Sequence, residues 1–448
     1  MRRIGDNNEG NTDRRTQRRS VPNHSAQPRQ SRVDRYYDDA EYRRPRAPQK
    51  KKAGPLFVVA LIVFLVAVAL LAYAIITTYM AQILPQKYFM MLLLISVILI
   101  CITIILLYVR KGKKGPRIVA IILSAIMIFA SFYVAGIMNS ANNMVETMEA
   151  NANVEEAGVV ISDTGETIQT EVVYEQVEDV KQNPFLIYLS GLDVSGIKKD
   201  GSVGDKGRSD VNIIAAVNPN TKKIQMVTIP RDCYVGINGD TSKMDKLTHC
   251  GNWGIYCSMK TIESLFNDQI KLNYYAKVNY VSVMNIVDAL GGITVDSPNS
   301  FTGAHSYSGN TYHFDKGLNT LNGDQAIAFA RERKNLSDGD NQRGRDHEII
   351  IKAIIEKATS PEILTPGTLN SVMDVFAKNV STSLSADEMR SLIQISLDSP
   401  SWDIEMMDVT GKGASKVTYT AHVNRYVFLP DSNSLQEACD ALLAVLNS

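Results

Sequence analysis

Hydrophobic positions along the chain fall into four regimes. Residues 1–54 carry almost none and are rich in Arg, Gln, Asn, Ser and Pro. Three apolar runs follow at 55–80, 88–109 and 118–138, and none contains a charged residue. Each run is long enough to cross a hydrocarbon core of about 30 Å as a helix. Residues 139–183 are polar and acidic, with a short alternation near Val172, Val173 and Val177, and predict a stalk or a small accessory element. From residue 184 onward the pattern is that of a folded domain.

Within that domain, 184–190 (Pro-Phe-Leu-Ile-Tyr-Leu-Ser) predicts a buried strand ending at Gly191-Leu192-Asp193. Segments 211–217 and 224–229 flank Asn218-Pro219-Asn220-Thr221-Lys222-Lys223, a strand, turn, strand pattern with good turn chemistry. Residues 273–279 alternate like a strand, 293–295 form a short one, and another lies near 403–409. Helical spacing marks 258–267, 281–290 (stopped by Gly291-Gly292), 323–332 (capped by Asn322), 341–358, 368–379, 385–397 and 434–447. Strands and helices mixed throughout predict an α/β sandwich over 184–448. No internal repeat is visible.

Charge divides the chain further. The formal net charge of zero hides a basic tail, 15 Lys/Arg against 7 Asp/Glu in residues 1–54, and an acidic body, 26 against 40 in residues 139–448. A tail of this composition cannot bury a core and is expected to be disordered. Loop 81–87 carries one Lys, whereas loop 110–117 carries five basic residues. The positive-inside rule then makes the tail and loop 110–117 cytoplasmic and places everything after Met138 outside. The cluster Arg43, Arg44, Arg46, Lys50, Lys51 and Lys52 abuts the first run and suits anionic lipid headgroups. An acidic body argues against nucleic-acid binding. Spans without charge argue against a transporter.

Of five cysteines, Cys101 lies in an apolar run. Cys233, Cys250, Cys257 and Cys439 lie in the body, where four cysteines allow three pairings. Cys250 and Cys257 close the shortest loop and are the favoured bridge; a zinc site is the alternative, against which stands the absence of a C-x-x-C pair.

The chemistry-bearing residues gather at element ends. The body has eight arginines, and six of them (Arg208, Arg231, Arg331, Arg333, Arg343 and Arg345) fall in four short motifs that carry or adjoin an Asp. Arg208 and Asp210 are two apart, so on a regular strand they share a face. Arg331 and Arg333 end a helix. Arg343 and His347 are four apart on the next helix, and Asp340 stands at its start. Singly, such pairs read as surface salt bridges. Jointly, guanidinium forks with carboxylates at sheet ends suit a phosphate ligand and a divalent cation. Asp193 and Asp210 are the candidates for a cation; the other use of such Asp residues is capping. Asp232, next to Arg231, reads as a partner of that arginine. No Gly-Lys-Ser/Thr phosphate loop, Gly-x-Ser-x-Gly elbow or His-Glu-x-x-His pair is present. His249, His305 and His313 read as loop or core histidines.

Gly207-Arg208-Ser209-Asp210, Ile229-Pro230-Arg231-Asp232, Asp245-Lys246-Leu247-Thr248-His249, Val287-Asp288-Ala289-Leu290-Gly291-Gly292, Leu321-Asn322-Gly323-Asp324-Gln325-Ala326, Ala330-Arg331-Glu332-Arg333 and Asp340-Asn341-Gln342-Arg343-Gly344 occur in the order found in the LytR–CpsA–Psr family, which this stretch, from about 184 to 360, resembles. Three spans before an outside domain also resemble family members of Gram-positive bacteria. The resemblance implies a mixed-sheet α/β/α sandwich outside the membrane. It implies an enzyme that moves a glycopolymer from a polyprenyl-pyrophosphate carrier to a muramic-acid hydroxyl of peptidoglycan, forming a phosphodiester. By similarity, Asp193 and Asp210 would bind Mg²⁺ or Mn²⁺. Arg208, Arg231, Lys246, Arg331, Arg333, Arg343 and His347 would hold the substrate, and Arg231, Arg331, Arg333 and Asp340 would serve catalysis. Two features depart from the family pattern. His347 stands where Gln is common, and 139–183 is shorter than the accessory domain of some three-span members. Two further functions compete: a regulatory protein that grips polyprenyl phosphate without turnover, and a lipid pyrophosphatase in which water replaces the sugar hydroxyl.

Overall fold

The computed structural model describes residues 54–108, 114–153, 157–161, 167–171, 176–193, 207–304, 309–332, 339–358, 360, 362, 366–398 and 401–448. The tail through Ala53, the first half of the basic loop (110–113), His305 and Arg333 lie outside the described residues.

The three apolar runs form α1 (Pro55–Ala81), α2 (Gln86–Tyr108) and the first half of α3 (Lys114–Asn153), all long and apolar enough to cross a membrane. Small and aromatic residues such as Ala60, Phe64 and Ala120 fill the contact between α1 and α3. Leu65, Ile76 and Phe129 stay exposed, at 58%, 60% and 72%. So much open apolar surface suits hydrocarbon and not water. The stretch read from the sequence as a stalk, 139–183, begins as the end of α3. Val145 and Met148 on α3 pack into the body, as does Val180, so compact structure starts before residue 184. A strand pair follows, β1 (Ala157–Ile161) and β2 (Thr167–Glu171).

The body is built on β3 (Phe185–Asp193), β4 (Arg208–Asn218) and β5 (Lys223–Thr228). A short antiparallel pair, β6 (Tyr234–Gly236) and β7 (Met244–Lys246), leads into α4 (Leu247–Cys250) and α5 (Ile255–Leu265). Next come β8 (Tyr274–Asn279), α6 (Tyr280–Ala289), β9 (Ile293–Ser297), β10 (Phe301–Ala304), β11 (Thr311–Phe314), β12 (Gly317–Leu321), α7 (Gly323–Arg331), α8 (Gly339–Ala358) and α9 (Pro366–Asn379). The chain ends with β13 (Ser381–Thr382), α10 (Ala386–Asp398), β14 (Asp403–Asp408), β15 (Gly411–Val417), β16 (Asn424–Pro430) and α11 (Ser432–Leu446).

One six-stranded sheet organises these elements, in the order β13-β8-β3-β4-β5-β14. It is mixed: β3–β8 and β5–β14 are parallel, and the other pairs are antiparallel. Alternation along the strands sends one set of side chains to each face. Leu186, Tyr188, Ile214, Val227 and Tyr275 meet Leu247, Met259 and Ile262 of α4 and α5 and Ala438 and Leu442 of α11. Phe185, Ile213, Ala215, Met226 and Tyr274 meet Val145 of α3 and Met389 of α10. Helices therefore cover both faces, which gives the three-layer α/β/α sandwich expected from the sequence. Each large apolar side chain so buried contributes about 1.5–3 kcal/mol. A further cluster joins α6–α9 through Ile286, Val287, Phe329, Ile350 and Val372.

Two motif stretches prove to be structural. Asn322 caps α7 in a reciprocal capping box with Gln325, and Asp288 accepts from Gly323 N at 2.7 Å. A Cβ at 323 would lie 2.4 Å from Met284 O, so the close approach of α6 requires glycine there. All five cysteines are free thiols in the structure, Cys250 and Cys257 included.

Candidate functional site

The site begins with an irregularity in β4. Gly191 pairs with Val211 but Leu192 pairs with Ser209, so Asp210 is an extra residue on its strand. Such a bulge re-aims side chains. Here it is held by a buried polar network. Ser209 Oγ lies 3.0 Å from the Tyr188 hydroxyl, 2.8 Å from Ser190 Oγ and 2.8 Å from Asn212 Oδ1, and Asn212 Nδ2 donates to Ser209 O at 3.0 Å. Burial pushes the Tyr188 phenol up to about 12, so it stays neutral and keeps its proton for Asn212. The face shared by Arg208 and Asp210 on a regular strand is thereby lost, and each turns to a different partner.

Arg208 Nη2 meets Asp193 Oδ2 at 2.7 Å, and Arg331 Nη2 approaches the same oxygen at 3.7 Å from the end of α7. The Arg331 guanidinium lies over the Tyr280 ring, 4.4 Å from its centre, a cation–π contact. Asp210 Oδ2 takes Arg231 Nη1 at 2.7 Å, and Asp210 Oδ1 takes the Thr248 hydroxyl at 3.0 Å. Asp232 lies between two cations: Arg231 Nε is 3.9 Å away and Lys246 Nζ 2.8 Å. The sequence reading of Asp232 as a partner of Arg231 is therefore incomplete, since Lys246 is the nearer one.

The loop bearing Lys246 is set by Asp245, which is fully buried. Burial by itself raises a carboxyl, but hydrogen bonds from His249, Thr420 and the Lys246 amide outweigh it and hold Asp245 at about 2. Gly251 locks the same segment to β4: Gly207 N donates to Gly251 O at 3.2 Å, and a Cβ at 251 would sit 2.3 Å from Gly207 O.

Beside Asp193 and Arg331 an apolar cavity of about 270 Å³ runs between the sheet and α6–α9. Leu189, Val278, Ile327, Ile350 and Ile351 are among its walls, and Leu192, Tyr280 and Ala330 bring it up to the charged cluster. His347 lines this cavity and is buried. The structure thus brings together Asp193, Arg208 and Arg331, and likewise Asp210, Arg231 and Lys246, with His347 among the apolar residues. Asp340 and Arg343 fall within α8, but their side chains, like Arg333, lie outside the described residues.

Several contributors escaped the sequence reading. Tyr280 has no motif around it. Thr248 sits inside a quoted motif, which was its only signal. Glu348 is 4% exposed on α8 and accepts from the Thr228 hydroxyl at the end of β5. Burial pushes its carboxyl up to about 8, with Asp408 adding to the rise and Arg345 opposing it.

Paired arginines and aspartates at strand ends, beside an apolar cavity in a mixed-sheet sandwich, define an α/β domain behind apolar helices. The chain belongs to the LytR_cpsA_psr family, whose model matches residues 132–442. It is 32% identical over 291 residues to the polyisoprenyl-teichoic acid–peptidoglycan teichoic acid transferase TagU of Oceanobacillus iheyensis, covering 63% of this chain and 82% of that one. It is 38% identical over 210 residues to the protein of the same name from Bacillus subtilis, covering 47% of this chain and 63% of that one. The crystal structure of B. subtilis TagV is 28% identical, with a TM-score of 0.49, over 60% of this chain and 98% of that one.

Proposed function

We propose that this chain is a phosphotransferase that moves a glycopolymer from a polyprenyl-pyrophosphate carrier to a muramic-acid hydroxyl of peptidoglycan, at the outer face of the membrane. The observation that carries the reading is the junction of two environments. An apolar cavity for a hydrocarbon tail adjoins Asp193, Arg208 and Arg331, where a pyrophosphate attached to that tail would lie. The names of the TagU relatives, teichoic acid transferases, support the same chemistry.

In this reading the muramic hydroxyl oxygen attacks the phosphorus that bears the polymer. The bond from that phosphorus to the polyprenyl phosphate oxygen breaks, and the hydroxyl proton passes to a carboxylate, for which we assign Asp340. The products are a phosphodiester and polyprenyl phosphate. Arg208, Arg231, Arg331 and Lys246 hold the pyrophosphate and neutralise the charge of the leaving group, with Arg333 and Arg343 assigned to the same task on sequence grounds. Fixed charges aimed at developing charge are usually the largest catalytic term. Transfer of this kind depends on positioning more than on covalent groups.

Asp193 and Asp210 fit a Mg²⁺ or Mn²⁺ ion. Both carboxylates are nearly buried hard-oxygen donors, and among the described residues Arg208 and Arg331 both approach Asp193 through Oδ2 and not Oδ1. Magnesium prefers one or two carboxylates with phosphate oxygens and water completing its shell. When bound, the ion would supply further charge neutralisation on the pyrophosphate.

The test is incubation of the full-length protein with a polyprenyl-pyrophosphate saccharide, Mg²⁺ and peptidoglycan, following polyprenyl phosphate release and covalent labelling of the wall. Both are expected, and both should vanish with a chelator and in Arg331→Ala. Release without labelling, at the same rate whether or not peptidoglycan is present, would identify a pyrophosphatase. No release at all would leave a binding protein.

A further inference from the structure

The apolar cavity has a second end, away from the charged cluster. Ile355, one of its wall residues, is 36% exposed, and every other wall residue is buried or half-buried, so Ile355 marks the mouth at that end. α8 carries the wall to it. The first half of this helix touches the site edge of the sheet, where Glu348 meets Thr228 and Arg345 Nη1 lies 3.5 Å from Asp408 Oδ2. Ile351 and Ile355 follow on the next turns, Ile355 about 10 Å along the axis from Glu348.

The other side of the mouth is built on the spans. Phe376 walls the cavity from α9, and Met373, one turn earlier on the same helix, packs against Ala81, Ile83, Met138 and Ala141, where α1 ends and α3 leaves its apolar run. Ile393 of α10 joins that cluster, and it also belongs to the one that holds Ile351 of the cavity wall. Apolar contact is therefore continuous from the cavity to the spans. Leu397, one turn beyond Ile393, is 44% exposed, and its carbonyl accepts from the Tyr88 hydroxyl of α2 at 3.5 Å. Stronger polar contacts fix the same junction. Lys87 Nζ meets Asp398 Oδ1 at 2.8 Å between α2 and α10, and Arg390 Nη2 donates to Asn142 Oδ1 at 2.7 Å between α10 and α3. The body is thus seated on its spans, with α3 running unbroken from one to the other.

A hydrocarbon tail that crossed water to reach the cavity would lose apolar cover on every methylene. The continuous contact just described offers a path that avoids this. Resting on the transfer reaction above, we propose that the gap between α8 and α9 beside Ile355 is a lateral portal to the bilayer. The polyprenyl tail of the donor passes through it into the cavity, while the distal units of the tail stay among the lipids around the spans. The donor is loaded without leaving the membrane.

The test uses the full-length protein in nanodiscs of phosphatidylglycerol and phosphatidylethanolamine. Two donors carry the same head group, one on a long polyprenyl tail embedded in the disc and one on a geranyl tail added from water. The measured quantity is the ratio of kcat/KM for the long donor to that for the short one. In Ile355→Glu this ratio should fall about tenfold, the equivalent of roughly two methylenes left without apolar cover. Ile355→Leu should keep the wild-type ratio. As a readout independent of turnover, photoreactive benzoylphenylalanine replacing Ile355 should label phospholipid acyl chains. The same probe replacing Gln436, exposed on α11 over the opposite face of the sheet, should not. An unchanged ratio in Ile355→Glu, or no acyl chain labelled from position 355, overturns the portal. Both positions are exposed, so a wild-type melting temperature is expected for each variant. If the wild type turns over neither donor, the transfer reading fails on its own and labelling decides alone. Acyl chains labelled from 355 and not from 436 keep the mouth open to the bilayer, and equal or absent labelling closes it.

Discussion

Arg231→Ala tests the core of the site. The Arg231 side chain is 15% exposed and Asp210 is 4% exposed, and their charged atoms meet at 2.7 Å. Removing one partner of a buried pair leaves an uncompensated charge and costs about 3–5 kcal/mol. The Thr248 hydroxyl still reaches Asp210 Oδ1 at 3.0 Å, so the lower end, about 3 kcal/mol, is expected. In a domain of this size that lowers Tm by roughly 5–10 °C. Asp210→Asn removes the stranded charge, so Arg231→Ala/Asp210→Asn should regain about 2 kcal/mol relative to additivity. Transfer activity behaves differently: every variant lacking Arg231 should lose at least about a hundredfold, because the double variant restores the fold without restoring the cation. Thermal melts followed by near-ultraviolet circular dichroism, with polyprenyl phosphate release measured on the same preparations, separate the two effects. A wild-type melt for Arg231→Ala, or a coupling below about 0.5 kcal/mol, would refute the buried pair.

Three further outcomes follow from the geometry. Folded Glu348 holds its proton up to about 8, against 4.5 ordinarily, so it binds a proton that the unfolded chain releases. Its contribution to stability is therefore complete below about 4.5 and declines as pH rises toward about 8, by a few kcal/mol. Glu348→Gln should flatten that decline and exceed wild type at pH 8, and equal pH slopes in denaturant titrations would contradict this. Val278→Phe directs a ring into the apolar cavity and should raise KM for the lipid donor severalfold while costing about 1–3 kcal/mol in stability, measured by donor titration and melting. Gly251→Ala forces a Cβ against Gly207 O and the Ser209 amide, so β4 must shift and transfer should fall at least about tenfold; an active, normally melting variant would show that this contact is dispensable.

Much of this was legible in the sequence. Three uncharged apolar runs gave three helices because burial in hydrocarbon leaves no other pattern. Alternation and turn chemistry at 184–229 gave β3, β4 and β5, since both faces of those strands are covered. The ladders β10–β11 and β15–β16 were not foreseen: β10 and β11 are four residues each and bury only Phe301, Gly303 and Phe314, too few positions to show a period, and β15 is exposed along nearly all its length. The third apolar run marked where α3 enters the body but not that it continues to Asn153, since its last turns are polar on one side and packed through Val145 and Met148 on the other.

The site divides in the same manner. The residue types and their motifs fixed which groups are available: guanidinium forks, two carboxylates and a lysine. Local sequence could not assign partners. Asp193 serves both Arg208 and Arg331, which lie far apart in the chain and meet only because β3, β4 and α7 end together. The bulge at Asp210 depends on four polar side chains from two strands, so the alternation of a regular strand gave the wrong geometry for Arg208 and Asp210. Tyr280 and Glu348 carry no local signal, because their roles arise from what lies above them in the fold. The sequence by itself determined composition, period and chemistry. Only the tertiary structure decided which charges are buried together and where apolar space meets them, because desolvation and ion pairing depend on distances that sequence separation does not set.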